Sequence, residues 1–267
     1  MPLTFVVPTK CLAMELRILK SPFLSVFIRV LFPLPTLMKV EIYSDIACPW
    51  CYIGERRFEA ALAGFRHADQ VEVVFRPYQL NPDASRTPAP LVEELRAKFG
   101  PQSEAMLRHV GTAARGEGIA MNWEKAVAIN THTAHRLLRL AEKEYGAEAQ
   151  RRLMEKLFEA YFTNGGNVAD HALLADLAVA AGLDRERVES YLATEEGLAE
   201  LEAELEHARR IGVRAVPTFV FEGEQAVEGA QPASTFLQVL EQIHGELAPS
   251  NTGSDAADAC ADGACAV

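Results

Sequence analysis

Two cysteines separated by two residues, Cys48 and Cys51, are the feature best suited to chemistry in this chain of 267 residues. They lie between a strand-like run, residues 39–43, and a helix-like segment, residues 55–62. At a helix N-terminus the unpaired backbone N–H groups and the helix dipole stabilise an anion, which favours the thiolate of the first cysteine. Pro49 fits the first helical turn, where its missing N–H costs nothing. The spacing therefore predicts Cys48 as nucleophile, with Cys51 placed to resolve a mixed disulfide on it.

The same pair is also compatible with half of a zinc site or with a purely structural disulfide. A zinc site needs a second pair of ligands at a suitable spacing. The nearest candidates, Cys260 and Cys265, lie about two hundred residues away and lack the spacing of a zinc ribbon. We therefore favour redox chemistry and predict no metal, and the structural disulfide remains the alternative.

The composition is that of an ordinary globular protein, with 49% hydrophobic and 24% charged residues. The formal net charge of -11 excludes nucleic acid as an expected partner, because phosphate binding needs a basic face. Five cysteines in this length do not make a disulfide-rich secreted scaffold.

The first 37 residues lack a globular pattern. Their apolar stretch, residues 23–37, is interrupted by Arg29, Pro33 and Pro35 and is too short to span a membrane. We expect residues 1–37, which include Cys11, to be an extension outside the fold, with Met38 as the functional start. The alternative is an unusual export signal, although no typical cleavage site precedes Met38.

The remaining pattern predicts a strand, the cysteine helix, a second strand at 71–78, a long helical block, a strand hairpin and a last helix. Within the block, one helix is expected over 131–145, and Asp170 and Asp184 are expected to cap the starts of two others. Without the block, the order is β-α-β followed by β-β-α. The predicted fold is therefore α/β: a thioredoxin fold, residues 38–84 and 212–247, with a large all-helical insertion over 85–211.

Three separated motifs carry a resemblance to a known family, and the resemblance extends from Met38 to about Gly245. The chain resembles the FrnE-type branch of the DsbA-like thioredoxin superfamily in the runs 43–54 (YSDIACPWCYIG), 130–137 (NTHTAHRL) and 212–219 (GVRAVPTF). The resemblance implies a protein disulfide oxidoreductase or isomerase. Kappa-type glutathione transferases and 2-hydroxychromene-2-carboxylate isomerases are similar in layout but carry serine where this chain has Cys48, which argues for thiol-disulfide exchange here.

The resemblance also implies roles for residues around the cysteines. Val216-Pro217 matches the family's cis-proline position, with Val216 offering its backbone to an extended substrate. Pro49 and Trp50, between the cysteines, are expected to tune the thiolate, and Trp50 to add a flat apolar surface. Asp45 is a candidate proton relay for Cys51, or alternatively a carboxylate that stabilises the turn.

A second motif lies in the helical block. His132 and His135 occur three residues apart, and such a pair more often serves packing and hydrogen bonding than metal binding. We interpret Asn130, His135 and Arg136, which match the family motif, as residues that hold the insertion against the core.

The tail, residues 248–267, is rich in Ala, Asp, Ser and Gly and is expected to be flexible. It contains Cys260 and Cys265, and some FrnE-like proteins carry a similar Cys-x4-Cys. One hypothesis is that this pair shuttles electrons to Cys48 and Cys51 as a tethered dithiol. The alternative is an incidental pair that oxidises freely.

The sequence therefore predicts a cytoplasmic thiol-disulfide enzyme without a cofactor, acting on protein disulfide or thiol clients through Cys48 and Cys51, with a role in oxidative-stress defence. Glutathione is a further candidate partner, whereas nucleic acid and membrane are not expected. Two other functions stay open. One is a glutathione-dependent transferase or isomerase of small aromatic substrates, and the other is a redox-regulated chaperone.

Overall fold

The computed structural model of the chain describes residues 37–247. In chain order its elements are β1 (Met38–Ser44), α1 (Pro49–Gly64), β2 (Val71–Pro77), β3 (Ala89–Pro90), α2 (Leu91–Phe99), α3 (Gln102–Gly116), β4 (Val127–Ala128), α4 (His132–Leu140), α5 (Ala147–Phe158), α6 (His171–Ala180), α7 (Arg185–Leu192), α8 (Leu198–Arg210), β5 (Thr218–Phe221), β6 (Gln225–Glu228) and α9 (Ala233–Leu247). The predicted thioredoxin arrangement is confirmed: β1-α1-β2 precede a long helical insertion in the chain, and β5-β6-α9 follow it.

The central sheet has the strand order β2-β1-β5-β6. Strand β2 runs parallel to β1, with Met38 opposite Val71, and β5 runs antiparallel to β1, with Val40 opposite Phe221. Strands β1 and β5 each lie between two neighbours and are mostly buried, and Val40 of β1 is fully covered. The carboxyl end of this inner strand leads directly into the cysteine turn, so the sheet sets where that turn lies.

Aromatic side chains fill the space between the sheet and helices α1 and α9. The ring centroids of Phe58 on α1 and Phe219 on β5 are 5.3 Å apart, and Phe236 on α9 lies 4.4 Å from Phe219. All three side chains are fully buried. Each such residue removes a large apolar area from water, which fixes α1 firmly on the sheet.

The insertion between β2 and β5 contains a small sheet that was not predicted. It was expected to be helical throughout, but Ala89–Pro90 pairs with Val127–Ala128 in a small antiparallel sheet. Strands of two residues are too short to show an alternating pattern, so only the approach of the two segments reveals them. No helix among residues 37–247 is both long and apolar enough to cross a bilayer.

Helix boundaries in the insertion follow the capping residues. The side chains of Asp170 and Asp184 accept hydrogen bonds from the backbone N–H groups of Leu173 and Arg187, as predicted. The helix expected over 131–145 is only partly α-helical, because its last turn, Ala141–Tyr145, widens into a π-helix. A second π-helical turn, Glu159–Asn164, ends α5. Such wide turns are rare and leave no periodic signal in a sequence.

Candidate active site

The cysteine turn is built by the junction of β1 and α1. Cys48 is the N-cap residue of α1 with an extended backbone, and Pro49 occupies the first helical turn. The Cys48 N–H donates to the carbonyl of Asp45 at 3.0 Å, and the Cys51 N–H donates to the carbonyl of Cys48 at 3.0 Å. Cys48 therefore lies at the positive end of the helix dipole, and Cys51 lies one turn into the helix.

Both thiols are free in the structure and almost fully covered, with 4% of Cys48 and 2% of Cys51 exposed. Burial raises the pKa of the Cys51 thiol well above its ordinary value, and the adjacent Cys48 sulfur raises it further. The hydroxyl of Ser44 and the backbone of Asp45 act in the opposite direction. The raised pKa of Cys51 suits a thiol that acts second in an exchange. The assignment of Cys48 as nucleophile and Cys51 as resolving thiol stays a prediction.

The Val216–Pro217 peptide bond is cis, as predicted from the motif. The Cys48 thiol donates to the Val216 carbonyl at a distance of 3.6 Å between sulfur and oxygen. Gly54 allows this approach, because a Cβ atom there would lie 2.9 Å from Cγ of Pro217. The loop that precedes β5 thus lies directly against the reactive sulfur.

Asp45 links three parts of the chain at the base of this turn. Its side chain is 2% exposed and accepts four hydrogen bonds. One comes from Ala47 N in the turn itself at 3.2 Å, and another from Leu80 N after β2 at 2.8 Å. The other two come from the Thr131 hydroxyl at 2.9 Å and His135 Nε2 at 3.4 Å, both in the insertion. These contacts favour the turn-stabilising role of Asp45, and its role as a proton relay stays a prediction.

The expected attachment of the insertion to the core is made by two of the three motif residues. His135 reaches Asp45, and the Asn130 amide donates to the Pro82 carbonyl at 2.9 Å. Arg136 acts differently, because its guanidinium donates to the carbonyl groups of Thr194, Glu196 and Leu192. Arg136 therefore joins parts of the insertion to one another and not to the core.

Trp50 is half-buried and contacts the insertion. Its ring centroid lies 5.5 Å from that of His109 on α3, with the ring planes tilted by 53°. The sequence reasoning did not single out His109. The sequence indicates only that His109 lies in a helix of the insertion, and it does not reveal where that helix packs.

Glu55 is a second residue that the sequence reasoning missed. It lies on α1, is 3% exposed, and neither of its carboxyl oxygens has a hydrogen-bond partner among the described residues. Burial raises the pKa of Glu55 well above its ordinary value, and the charge of Glu59 adds to the effect.

No group of three or more His, Cys, Asp or Glu side chains within residues 37–247 is arranged to hold a metal ion. His132 instead pairs with Glu202, with 2.7 Å between nitrogen and oxygen. Cys11, Cys260 and Cys265 lie outside the residues that the structure describes.

The chain is similar to known proteins over this whole region. Residues 39–241 match the family model of the DSBA-like thioredoxin domain. An uncharacterized protein of Bacillus subtilis (strain 168), YwbO, is 30% identical over 205 residues, which cover 75% of this chain and 94% of YwbO.

Solved structures agree with this match. The crystal structure of a probable DsbA oxidoreductase from Streptomyces coelicolor is 39% identical, has a TM-score of 0.72, and matches over 86% of this chain and 99% of its own. The cytosolic disulfide reductase DsbM from Pseudomonas aeruginosa, solved with GSH, is 18% identical with a TM-score of 0.55, over 77% of this chain and 99% of its own, and shares the fold. By its match to this family model over residues 39–241, the chain belongs to the DsbA-like thioredoxin family.

Proposed function

We propose that this protein exchanges disulfides with client proteins through Cys48 and Cys51, as a FrnE-type oxidoreductase or isomerase. The observation that carries the proposal is the geometry at Cys48, whose sulfur lies at the N-terminus of α1 and 3.6 Å from the Val216 carbonyl. A free dithiol at a helix end, facing a backbone segment that can pair with an extended peptide, is suited to thiol-disulfide exchange.

In the reducing direction, the Cys48 thiolate attacks one sulfur of a client disulfide. A Cys48–client bond forms, and the other client sulfur leaves and takes up a proton. The Cys51 thiol then releases its proton to solvent and attacks Cys48 Sγ, which frees the second client thiol. The protein ends with a Cys48–Cys51 disulfide, and two electrons have passed to the client. A thiol reductant restores the dithiol.

Several residues support these steps. Trp50 lies between the cysteines and packs on His109, and Pro49 starts the helix at whose N-terminus Cys48 lies. Val216 offers its backbone to the client, while Pro217 holds that loop against α1. Asp45 keeps the turn in place by accepting four hydrogen bonds. The proposed exchange uses no cofactor.

A dithiol that reduces, isomerises or repairs client disulfides is useful where thiols are kept reduced. We therefore place its work in the cytosol during oxidative stress. DsbM, which shares the fold, is described as a cytosolic disulfide reductase.

We also propose that Cys260 and Cys265 act as an electron shuttle for Cys48 and Cys51. The ring of His244, near the end of α9, stacks on that of His67 at 3.9 Å, just beyond the C-terminal end of α1. Cys48 lies at the opposite end of α1, which is about 24 Å long for its 16 residues. The 13 residues from 248 to 260 reach up to about 43 Å when extended. Cys260 and Cys265 are thus within reach of Cys48.

A trapping experiment tests the main proposal. In the Cys51→Ala variant the mixed disulfide on Cys48 is not resolved, so acid quenching of cells and mass spectrometry identify its partner. We expect a set of protein clients. Glutathione as the sole partner would instead indicate a glutathione-dependent transferase or isomerase. The Cys48→Ala/Cys51→Ala variant is the control and should capture nothing.

A second experiment tests the shuttle. The Cys260→Ser/Cys265→Ser variant should form its Cys48–Cys51 disulfide normally but lose turnover with a protein substrate. Unchanged turnover would show that the tail pair takes no part.

A further inference from the structure

A groove in the insertion lies beside the cysteine turn and is used by neither cysteine. It consists of two adjoining cavities of about 440 and 390 Å³. The two cavities share Arg86, Asn130, His132 and Leu198, which define what we call the insertion groove. Helices α4 and α8 both begin on its wall, at His132 and Leu198, so the positive ends of two helix dipoles lie at the groove. The His132 N–H is already bonded to the Asn130 side chain.

The groove is basic although the chain as a whole carries a net charge of -11. Three arginines line it, Arg86, Arg136 and Arg209, against two glutamates, Glu195 and Glu202. Glu202 is paired with His132, and Arg209 is paired with Glu206, which lies outside the lining. The lining charges without an ion-pair partner among the described residues are Arg86 and Arg136 against Glu195, which leaves one positive charge in excess for an anionic group.

Arg86 is an exposed cation at the edge of both cavities that is free to bind such a group. Its guanidinium has no hydrogen-bond or ion-pair partner among the described residues. By contrast, Arg136 is bound by three carbonyl groups. The loop that carries Arg86 is held in place, because the Asn130 backbone N–H donates to the carbonyl of Ser85 at 2.9 Å. A planar guanidinium presented in this way can bind a carboxylate through two parallel hydrogen bonds.

The groove is close to the reactive sulfur. Gln79 and Asn130 line it, and their chain neighbours Leu80 and Thr131 both donate to the Asp45 carboxylate. The Cys48 N–H in turn donates to the Asp45 carbonyl. Two hydrogen bonds and two residues, Asp45 and a chain neighbour of the wall residue, therefore separate the Cys48 backbone from the groove wall, a distance of roughly 10 Å.

We propose that the insertion groove binds an acidic side chain of the client, so that the protein prefers disulfides with a nearby Asp or Glu. The proposal rests on the proposed function and names its substrate class. An extended peptide advances about 3.3 Å per residue, so the acidic residue should lie roughly three positions from the client cysteine. Arg86 then acts as a specificity-determining residue that contacts the client and takes no part in the exchange itself.

Synthetic peptide disulfides test this proposal. Glu, Gln or Lys is placed at each position from two to five residues before or after the cysteine, and kcat/KM is measured. We expect the Glu peptide to exceed the Lys peptide by about fivefold at one position near three, a magnitude typical of an exposed ion pair. The Arg86→Glu variant should reverse the preference, whereas Arg66→Glu, the same charge change at an exposed residue outside the groove, should retain it.

Equal kcat/KM for Glu, Gln and Lys peptides in the wild type would overturn the proposal, as would a preference that Arg86→Glu retains. If no peptide turns over, the proposed function fails, and binding still tests the groove. In the Cys48→Ser/Cys51→Ser variant, fluorescence anisotropy should give tighter binding of the Glu peptide than of the Lys peptide, and equal affinities would refute the role of the groove.

Discussion

The buried carboxyl of Glu55 predicts a measurable dependence of stability on pH. Glu55 is 3% exposed and lacks a hydrogen-bond partner for either oxygen within residues 37–247. Burial has the largest effect on the pKa of Glu55 and raises it, and the charge of Glu59 raises it further. Arg56 and Arg151 act in the opposite direction and Glu155 in the same direction, but burial dominates.

The sign of the effect follows from proton binding. In the unfolded chain Glu55 loses its proton near its ordinary pKa of about 4.3. In the folded chain it keeps the proton to a higher pH. Folding is therefore linked to proton binding between these two pKa values, and stability falls as pH rises through that window. One proton corresponds to a loss of about 1.4 kcal/mol of unfolding free energy per pH unit.

Replacing Glu55 with Gln removes the titration and should remove this loss. Relative to the wild type, the unfolding free energy of Glu55→Gln should rise by up to about 1.4 kcal/mol for each pH unit above 5, until the folded-state pKa is passed. The buried amide adds its own desolvation cost, but that cost does not depend on pH. The diagnostic quantity is therefore the slope of the difference with pH and not its absolute value.

The assay is urea unfolding followed by tryptophan fluorescence at half-unit steps from pH 5 to 8, with the cysteines kept reduced. Glu55→Leu should show the same pH dependence as Glu55→Gln, although its absolute stability differs. Glu241→Gln, a change at an exposed glutamate of α9, should keep the wild-type slope. Parallel wild-type and Glu55→Gln curves over this range would refute the assignment of Glu55 as a buried, protonated acid.

Three further predictions concern the site and the insertion. Because burial raises the pKa of Cys51, iodoacetamide at pH 8 should alkylate Cys51 in a Cys48→Ser variant more than tenfold more slowly than free cysteine, with a rate still rising above pH 9. The Cys51 peptide is followed by mass spectrometry, because the chain also contains Cys11, Cys260 and Cys265. A Cys51 rate equal to that of free cysteine would contradict the raised pKa. Asp45→Asn leaves some of the four groups that donate to Asp45 poorly paired, so the unfolding free energy in urea should fall by about 2–3 kcal/mol. An unchanged urea midpoint would show that Asp45 does not hold the turn. Gly165→Ala should lower the unfolding free energy by about 3 kcal/mol in the same assay, because φ of Gly165 is +72° and a Cβ there would overlap the Lys125 carbonyl. A decrease below about 1 kcal/mol would show that the loop relaxes easily around the added methyl group.

Local features of the site were predictable because neighbouring residues determine them. Strand β1, Pro49 and the start of α1 place Cys48 at a helix N-terminus whatever the rest of the chain does. The caps at Asp170 and Asp184 are likewise local, since each side chain bonds a backbone N–H three residues on. The cis Val216–Pro217 bond was predictable only through a resemblance between motifs, because spacing alone is equally consistent with a trans bond.

The cysteine motif and the order of the main elements could therefore be derived from the sequence alone, since each depends on residues close together in the chain. The thioredoxin arrangement was inferred from that order, although it pairs Val40 with Phe221 across the whole insertion. The partners of Asp45 could not be derived from the sequence, because Leu80, Thr131 and His135 are up to 90 residues away. The burial of Glu55 and the contact between Trp50 and His109 depend in the same way on how the insertion packs against α1. The groove around Arg86 exists only where α4, α8 and the loop after β2 meet. Contacts of this kind leave no periodic signal in a sequence, and tertiary packing alone decides which polar groups lie together and which are left unpaired.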